Sequence, residues 1–230
     1  MPVFEDAFTR ADENLDVSAD WTDDTGASFS YKIVSNEVKV IAANAGQFSA
    51  WVNSISTRAN MIVVATVRLG TNQPAVGVMG RRTANDTYYS AELSQIGRVL
   101  QIRLLNAGVS SLLVGGAEVH DTGTNYLLTF TVDGTALSAS TSLEALSTTN
   151  GTITAAGSGG IIAYSATADH PAFMDAFSID DTTQAAGPSP SAPVFPVGPP
   201  GGFFEVPATP YGSYKSHLAL HDLYNRAKLG

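Results

Sequence analysis

The chain has 230 residues, 44% of them apolar and 14% charged, with a formal net charge of -9 from 12 Lys+Arg against 21 Asp+Glu. One large domain with an appendage fits that length, since domains run to about 100–200 residues. The acid excess argues against partners that need a basic face, nucleic acid and anionic membrane surfaces among them. The absence of cysteine excludes disulfide scaffolds, thiolate metal sites and cysteine nucleophiles.

From Met1 the sequence runs Pro2, Val3, Phe4, Glu5, Asp6, with no basic segment followed by an apolar stretch, so no secretory signal is expected. The longest apolar run, Met61 to Val67, falls far short of the ~20 residues of a spanning helix. Through residue 183, short strand-like runs recur between turn signals, with no helical period. Strands are predicted at 4–8, 29–34, 37–42, 49–52, 61–69, 75–82, 87–93, 99–105, 111–114, 126–132, 136–141, 161–164 and 173–179, an all-β, two-sheet antiparallel sandwich. The run from Met61 is apolar on both faces, as a covered central strand would be. Val38, Val40 and Ala42 alternate with wetter positions, and Leu100, Ile102 and Leu104 alternate with Gln101 and Arg103. Asp133-Gly134 between two alternating runs predicts a tight hairpin, the dipeptide supplying the positive φ values of a primed turn.

Composition changes after residue 183: of 11 prolines, eight lie between Pro188 and Pro210. Residues 184–210 are expected to be an extended Pro/Gly-rich arm, because proline fixes φ and lacks a donor. Residues 211–230 carry Leu220, Leu223, Tyr224 and Ala227 at helical spacing and predict a short C-terminal helix that needs something to pack on. Phe195, Phe203, Phe204, Tyr211, Tyr214, Leu220, Leu223 and Tyr224 are the candidate partner-binding residues of this tail, which is read as an anchor.

The segment Phe4 to Arg10, the pair Asp20-Trp21, the runs Tyr31 to Val34 and Glu37 to Val40, and the closing Phe173 to Asp181 resemble the concanavalin A-like lectin/glucanase superfamily, most of all its laminin G-like jelly rolls. The resemblance covers about residues 3–181 and implies a jelly roll whose first and last strands lie side by side. The layout as a whole is similar to tailed-bacteriophage virion proteins of the minor tail, head fibre or capsid decoration type. That likeness implies a structural protein in the virion, made in the host cytoplasm, bound to other virion proteins through its arm and self-associating into a homo-oligomer. The alternative is a carbohydrate-binding adhesin that recognises cell-surface glycans.

Glycosidase chemistry in this superfamily would need two carboxylates on one strand about 5 Å apart, whereas Glu92, Glu118 and Glu144 stand alone. No catalytic residue is assigned and no enzyme activity is expected. Trp51, Arg81, Arg82, Asn85, Tyr88 and Tyr89 are the candidate glycan-binding residues, because sugars stack on rings and hydrogen-bond to amides and charges. Tyr88 and Tyr89 must face opposite sides of a strand, which places one of them in the core. Eight acids face the single base Arg10 in the first 24 residues. The resemblance makes calcium the candidate cation, with Asp6 and either Asp175 or Asp181 as ligands, against the plainer reading of a solvated acidic loop. His217 and His221 are spaced for one metal, but Leu218 stands where a metalloprotease pattern needs Glu.

Overall fold

Alternation of apolar and polar residues is the pattern from which the chain builds sixteen strands in a computed structural model that describes residues 2–23, 29–42, 46–70, 75–94, 96–165 and 173–182. In chain order these are β1 (Phe4–Asp6), β2 (Glu13–Asn14), β3 (Trp21–Asp23), β4 (Phe29–Val34), β5 (Glu37–Ala42), β6 (Gly46–Val52), β7 (Met61–Arg68) and β8 (Ala75–Ala84). There follow β9 (Thr87–Ser94), β10 (Leu100–Asn106), β11 (Val109–Gly115), β12 (Asn125–Asp133), β13 (Ala136–Ser140), β14 (Ala145–Thr149), β15 (Ser158–Ser165) and β16 (Phe173–Asp180). The arm and helix expected at 184–210 and 211–230, with the eight partner-binding candidates from Phe195 to Tyr224 and both histidines, lie outside the described residues.

The strands form two antiparallel sheets. A nine-stranded sheet has the order β14-β13-β12-β7-β16-β5-β4-β2, with β1 also on β16, and a seven-stranded sheet has the order β11-β10-β9-β8-β15-β6-β3. All the pairings are antiparallel, as a two-sheet jelly roll requires. The first and last strands do lie side by side, Phe4 opposite Ile179 and Asp6 opposite Phe177.

Inward-facing residues of both sheets make one core, including Val63, Ala65 and Val67 of β7, Leu128, Phe130 and Val132 of β12, Val76 and Val78 of β8, and Tyr89, Ala91 and Leu93 of β9. Each such large side chain contributes about 1.5–3 kcal/mol by leaving water. At one end Trp21 gathers Phe4, Phe8 and Phe177, with ring centroids 5.8, 5.9 and 5.0 Å away. This cluster explains why Phe4, Trp21 and Phe177 recur at the two ends of the sequence: they lock the terminal strands together.

Three details differ from expectation. The first strand stops at Asp6, not residue 8, because Phe8 takes a left-handed φ of 52° and its amide turns back to the Asp6 carboxylate at 2.8 Å. β7 is central, yet Ile62, Val64, Thr66 and Arg68 on its outer face are only half-buried, so among the described residues that face is left partly open. The hairpin between β12 and β13 forms as expected, with Asp133 paired to Ala136, so the turn residues are Gly134 and Thr135. Gly134 alone has a positive φ, 57°, and its missing Cβ makes that conformation inexpensive.

Candidate functional site

On β9 the residues between the core positions are Tyr88, Ser90, Glu92 and Ser94, and all four are buried although they face away from the interior of the sandwich. Polar side chains on an outward face are ordinarily wet, so their burial marks a depression. It is a cavity of about 320 Å³ on the outer face of the seven-stranded sheet, near the lower end of the roughly 300–1,000 Å³ usual for small-molecule sites. The four β9 residues line it together with Gln101, Arg103 and Leu105 of β10, Ser110 of β11, Ala75 of β8, and Ile162 and Tyr164 of β15.

Strand pairing explains how these side chains meet. Glu92 stands opposite Gln101, Ser90 opposite Arg103 and Tyr88 opposite Leu105. On the other flank Glu92 faces Gly77, which in turn faces Ile162. Gly77 is required there, because a Cβ would sit 2.1 Å from the Ala91 carbonyl oxygen. Below, Met79, Tyr88 and Ile162 form a second small apolar cluster with Trp51 and Leu105, separate from the main core. Tyr164, 44% exposed, is the ring that solvent reaches.

Arg103 is the cation of the cavity. Its Nε and Nη2 donate to Ser110 Oγ at 3.2 and 3.1 Å and its Nη1 to Gln101 Oε1 at 3.1 Å, while Nε lies 3.5 Å from the Glu92 carboxylate. Burial pushes the Glu92 carboxyl up from 4.5 to about 7, against the pull of Arg103 and of a hydrogen bond from Ser90. Glu92 is the sole carboxyl among the described residues that line the cavity. Glu144 is used elsewhere, accepting the amides of Leu100 at 3.1 Å and Ala117 at 3.1 Å, and Glu118 is exposed.

The six residues singled out for glycan binding divide into three groups. Trp51, Arg82 and Asn85 come together, with the Arg82 guanidinium 3.2 Å above the Trp51 ring centre and hydrogen-bonded to Asn85. That stacking covers one face of the indole, so Trp51 is half-buried under an arginine and not an open platform. Tyr88 reaches the floor of the cavity. Arg81 and Tyr89 lie inside the protein: Arg81 donates to the carbonyls of Ala59 and, at 2.9 Å, Ile153, and the Tyr89 hydroxyl meets Asn150 Oδ1 at 2.8 Å and the Ile153 amide at 2.9 Å. The sequence reading passed over Ser90, Glu92, Ser94, Gln101, Arg103 and Tyr164 as site residues. A signal was available in β9, where a Tyr-Ser-Glu-Ser row alternates with Tyr89, Ala91 and Leu93.

The acidic N-terminal segment does not assemble the proposed cation site. Both oxygens of Asp6 are taken by Arg10 Nη1 at 2.7 and 2.8 Å, and Oδ2 also accepts the Trp21 indole N–H at 2.9 Å. Arg10 also pairs with Glu13 at 2.7 Å, and Asp181 pairs with Arg58 at 2.5 Å. Asp175 lies near the start of β16 and Asp181 just beyond its end, up to about 20 Å apart at strand rise. An arginine thus already supplies the positive charge at Asp6 and at Asp181. Among the described residues no group of three or more His, Asp or Glu side chains is placed to hold a metal.

No protein-family model matches the sequence, and no curated protein does. Solved structures do share its shape. A carbohydrate-binding module, CBM66 from Bacillus subtilis, superposes with a TM-score of 0.57 at 12% identity over 70% of this chain and 96% of its own. The exoplasmic/lumenal domain of VIP36 in its Ca2+/Man3GlcNAc-bound form gives 0.55 at 13% identity over 75% of this chain and 90% of that one. A chain described with endo-acting O-glycanases of the human gut microbiota gives 0.57 at 10% identity, covering 79% of this chain and 99% of its own. At these identities the likeness establishes a fold, the two-sheet antiparallel jelly roll.

Proposed function

We propose that this lectin-like jelly roll is a carbohydrate-binding domain whose ligand lies in the cavity on the outer face of the seven-stranded sheet. The observation that carries the reading is a buried polar row, Ser90, Glu92 and Ser94, set beside Gln101, Arg103 and the solvent-reached ring of Tyr164. Sugar hydroxyls need directional donors and acceptors, and a pyranose face needs a ring, and this cavity offers both. Carbohydrate-binding structures of the same fold, CBM66 and the glycan-bound VIP36 domain, support the class of ligand.

The domain binds without cleaving. The two-carboxylate mechanism needs a second acid roughly 5–10 Å from the first, and the described lining residues hold no carboxyl besides Glu92. Placement in a phage particle, and a homo-oligomer built through the tail, rest on the layout of the sequence and on residues outside those described, so the cavity supports the glycan-binding alternative in preference.

The test is a glycan microarray probed with the full chain, followed by calorimetric titration of the strongest saccharide. The expected result is binding to a chemically coherent set, weakened about tenfold in Gln101→Ala for one lost ligand hydrogen bond, with no reducing ends released. Failure to bind any saccharide would overturn the reading.

A further inference from the structure

Resting on the glycan-binding reading above, we infer that the cavity selects an acidic saccharide, one whose anionic substituent is received by Arg103. Arg103 is held as a receiver. Ser110 on one neighbouring strand and Gln101 on its own strand fix the guanidinium plane through three hydrogen bonds. A guanidinium has five N–H donors, so one N–H on each terminal nitrogen keeps no hydrogen-bond partner among the described residues. A planar cation with donors to spare, at the rim of a cavity, matches a carboxylate or a sulfate ester better than it matches a hydroxyl.

The charge balance points the same way. Among the described lining residues the other ionisable groups are Glu92, Tyr88 and Tyr164, and of these only Glu92 opposes the cation. Its contact with Arg103 is an ion pair at 3.5 Å with no hydrogen bond between them, and its desolvated carboxyl, pushed up to about 7, surrenders much of its negative charge at neutral pH. The described lining is therefore locally cationic within a chain of net charge -9. Tyr164 lies on β15, three strands away from β10 or about 14 Å across the sheet. A ligand that reaches both Tyr164 and Arg103 is an oligosaccharide, with its acidic unit at the β10 side.

The test sets each uronate-bearing or O-sulfated oligosaccharide beside its carboxyl-reduced or desulfated counterpart and titrates the full-length wild type, Arg103→Gln and Arg103→Lys with both. Wild type is expected to bind the acidic member at least tenfold more tightly, with the uronate and sulfate pairs reporting which anion is preferred. Arg103→Gln is expected to bring the ratio to within twofold, and Arg103→Lys to fall between. Should Arg103→Gln not fold, Ser110→Ala, which releases one side of the guanidinium, is expected to lower the same ratio. Equal binding of acidic and neutral members would overturn the inference and leave the glycan reading standing. So would a preference for amino sugars, which would make Glu92 the receiving group. If neither member of any pair binds, both fall.

Discussion

The two outer faces of the sandwich obey the same period-two rule and yet come out differently. On the nine-stranded sheet the outward residues Thr129, Thr131, Ser138, Ser147 and Thr149 are half-buried or exposed. A depression there, about 560 Å³, is lined by Thr131, Asp133 and Ser138, with no aromatic ring and no cation among the described lining residues. On the seven-stranded sheet the outward residues of β9 are buried, and a smaller cavity holds two tyrosines, an arginine and a desolvated carboxyl. Alternation therefore says which way a side chain points, while neighbouring strands decide whether water reaches it. Chemistry collects where a polar residue points outward and is buried all the same.

Large-to-small substitution at paired outward positions gives the widest separation between the faces. Met79, fully buried in the apolar cluster with Tyr88 and Ile162, should cost about 2–5 kcal/mol as Met79→Ala. Val64, half-buried on the outer face of the other sheet, should cost about 1 kcal/mol as Val64→Ala. Urea denaturation of the two variants measures the difference, and equal costs would mean that the faces are equivalent.

Next in size is a pH effect at Glu92. A carboxyl raised from 4.5 to about 7 in the folded state holds its proton more tightly there than in the unfolded chain, so the stability that it contributes is complete at low pH and is lost as pH rises through 7. Carrying that buried charge at pH 8 costs on the order of 3 kcal/mol. Glu92→Gln should therefore be more stable than wild type by about that amount at pH 8 and by less than about 1 kcal/mol at pH 5. A variant whose advantage does not change between the two pH values would place Glu92 in water, like the outward residues of the other sheet.

The smallest effect is expected far from both faces, in the turn between β4 and β5. Ser35 and Asn36 both take positive φ, 57° and 63°, the geometry of a type I′ turn. Ser35→Gly should relieve that strain and raise stability by less than about 1 kcal/mol, with no change in saccharide binding, as thermal denaturation and titration together would report.

Much of this architecture was legible in the sequence. The alternation of Leu100, Ile102 and Leu104 with Gln101 and Arg103 is the alternation of core and cavity in β10. Glu13–Asn14 and Trp21–Asp23 were missed because two or three residues cannot display a period, and Ala145–Thr149 because small and polar residues on both faces give no contrast. The site was harder to read. Arg81 and Arg82 look like one polar pair in sequence, but the bulged pairing of β8 with β9 sends Arg81 inside and lays Arg82 on Trp51. Asp6 looks like a cation ligand in a segment of eight acids, until Arg10 and the Trp21 indole occupy its oxygens. Both outcomes depend on partners from other strands, which local sequence does not contain.

The most direct test of the account titrates the tightest-binding saccharide from the microarray into three full-length proteins, wild type, Tyr164→Ala and the double variant Thr131→Ala with Ser138→Ala, each checked for an unchanged melting curve. Tyr164→Ala alters the rim of the cavity on the seven-stranded sheet, and the double variant alters the depression on the other face. The account predicts a loss of affinity of about tenfold or more for Tyr164→Ala, the worth of one ring against a sugar, and wild-type affinity for the double variant. Wild-type affinity in Tyr164→Ala with weakened binding in the double variant would contradict it, moving the ligand to the opposite face of the sandwich.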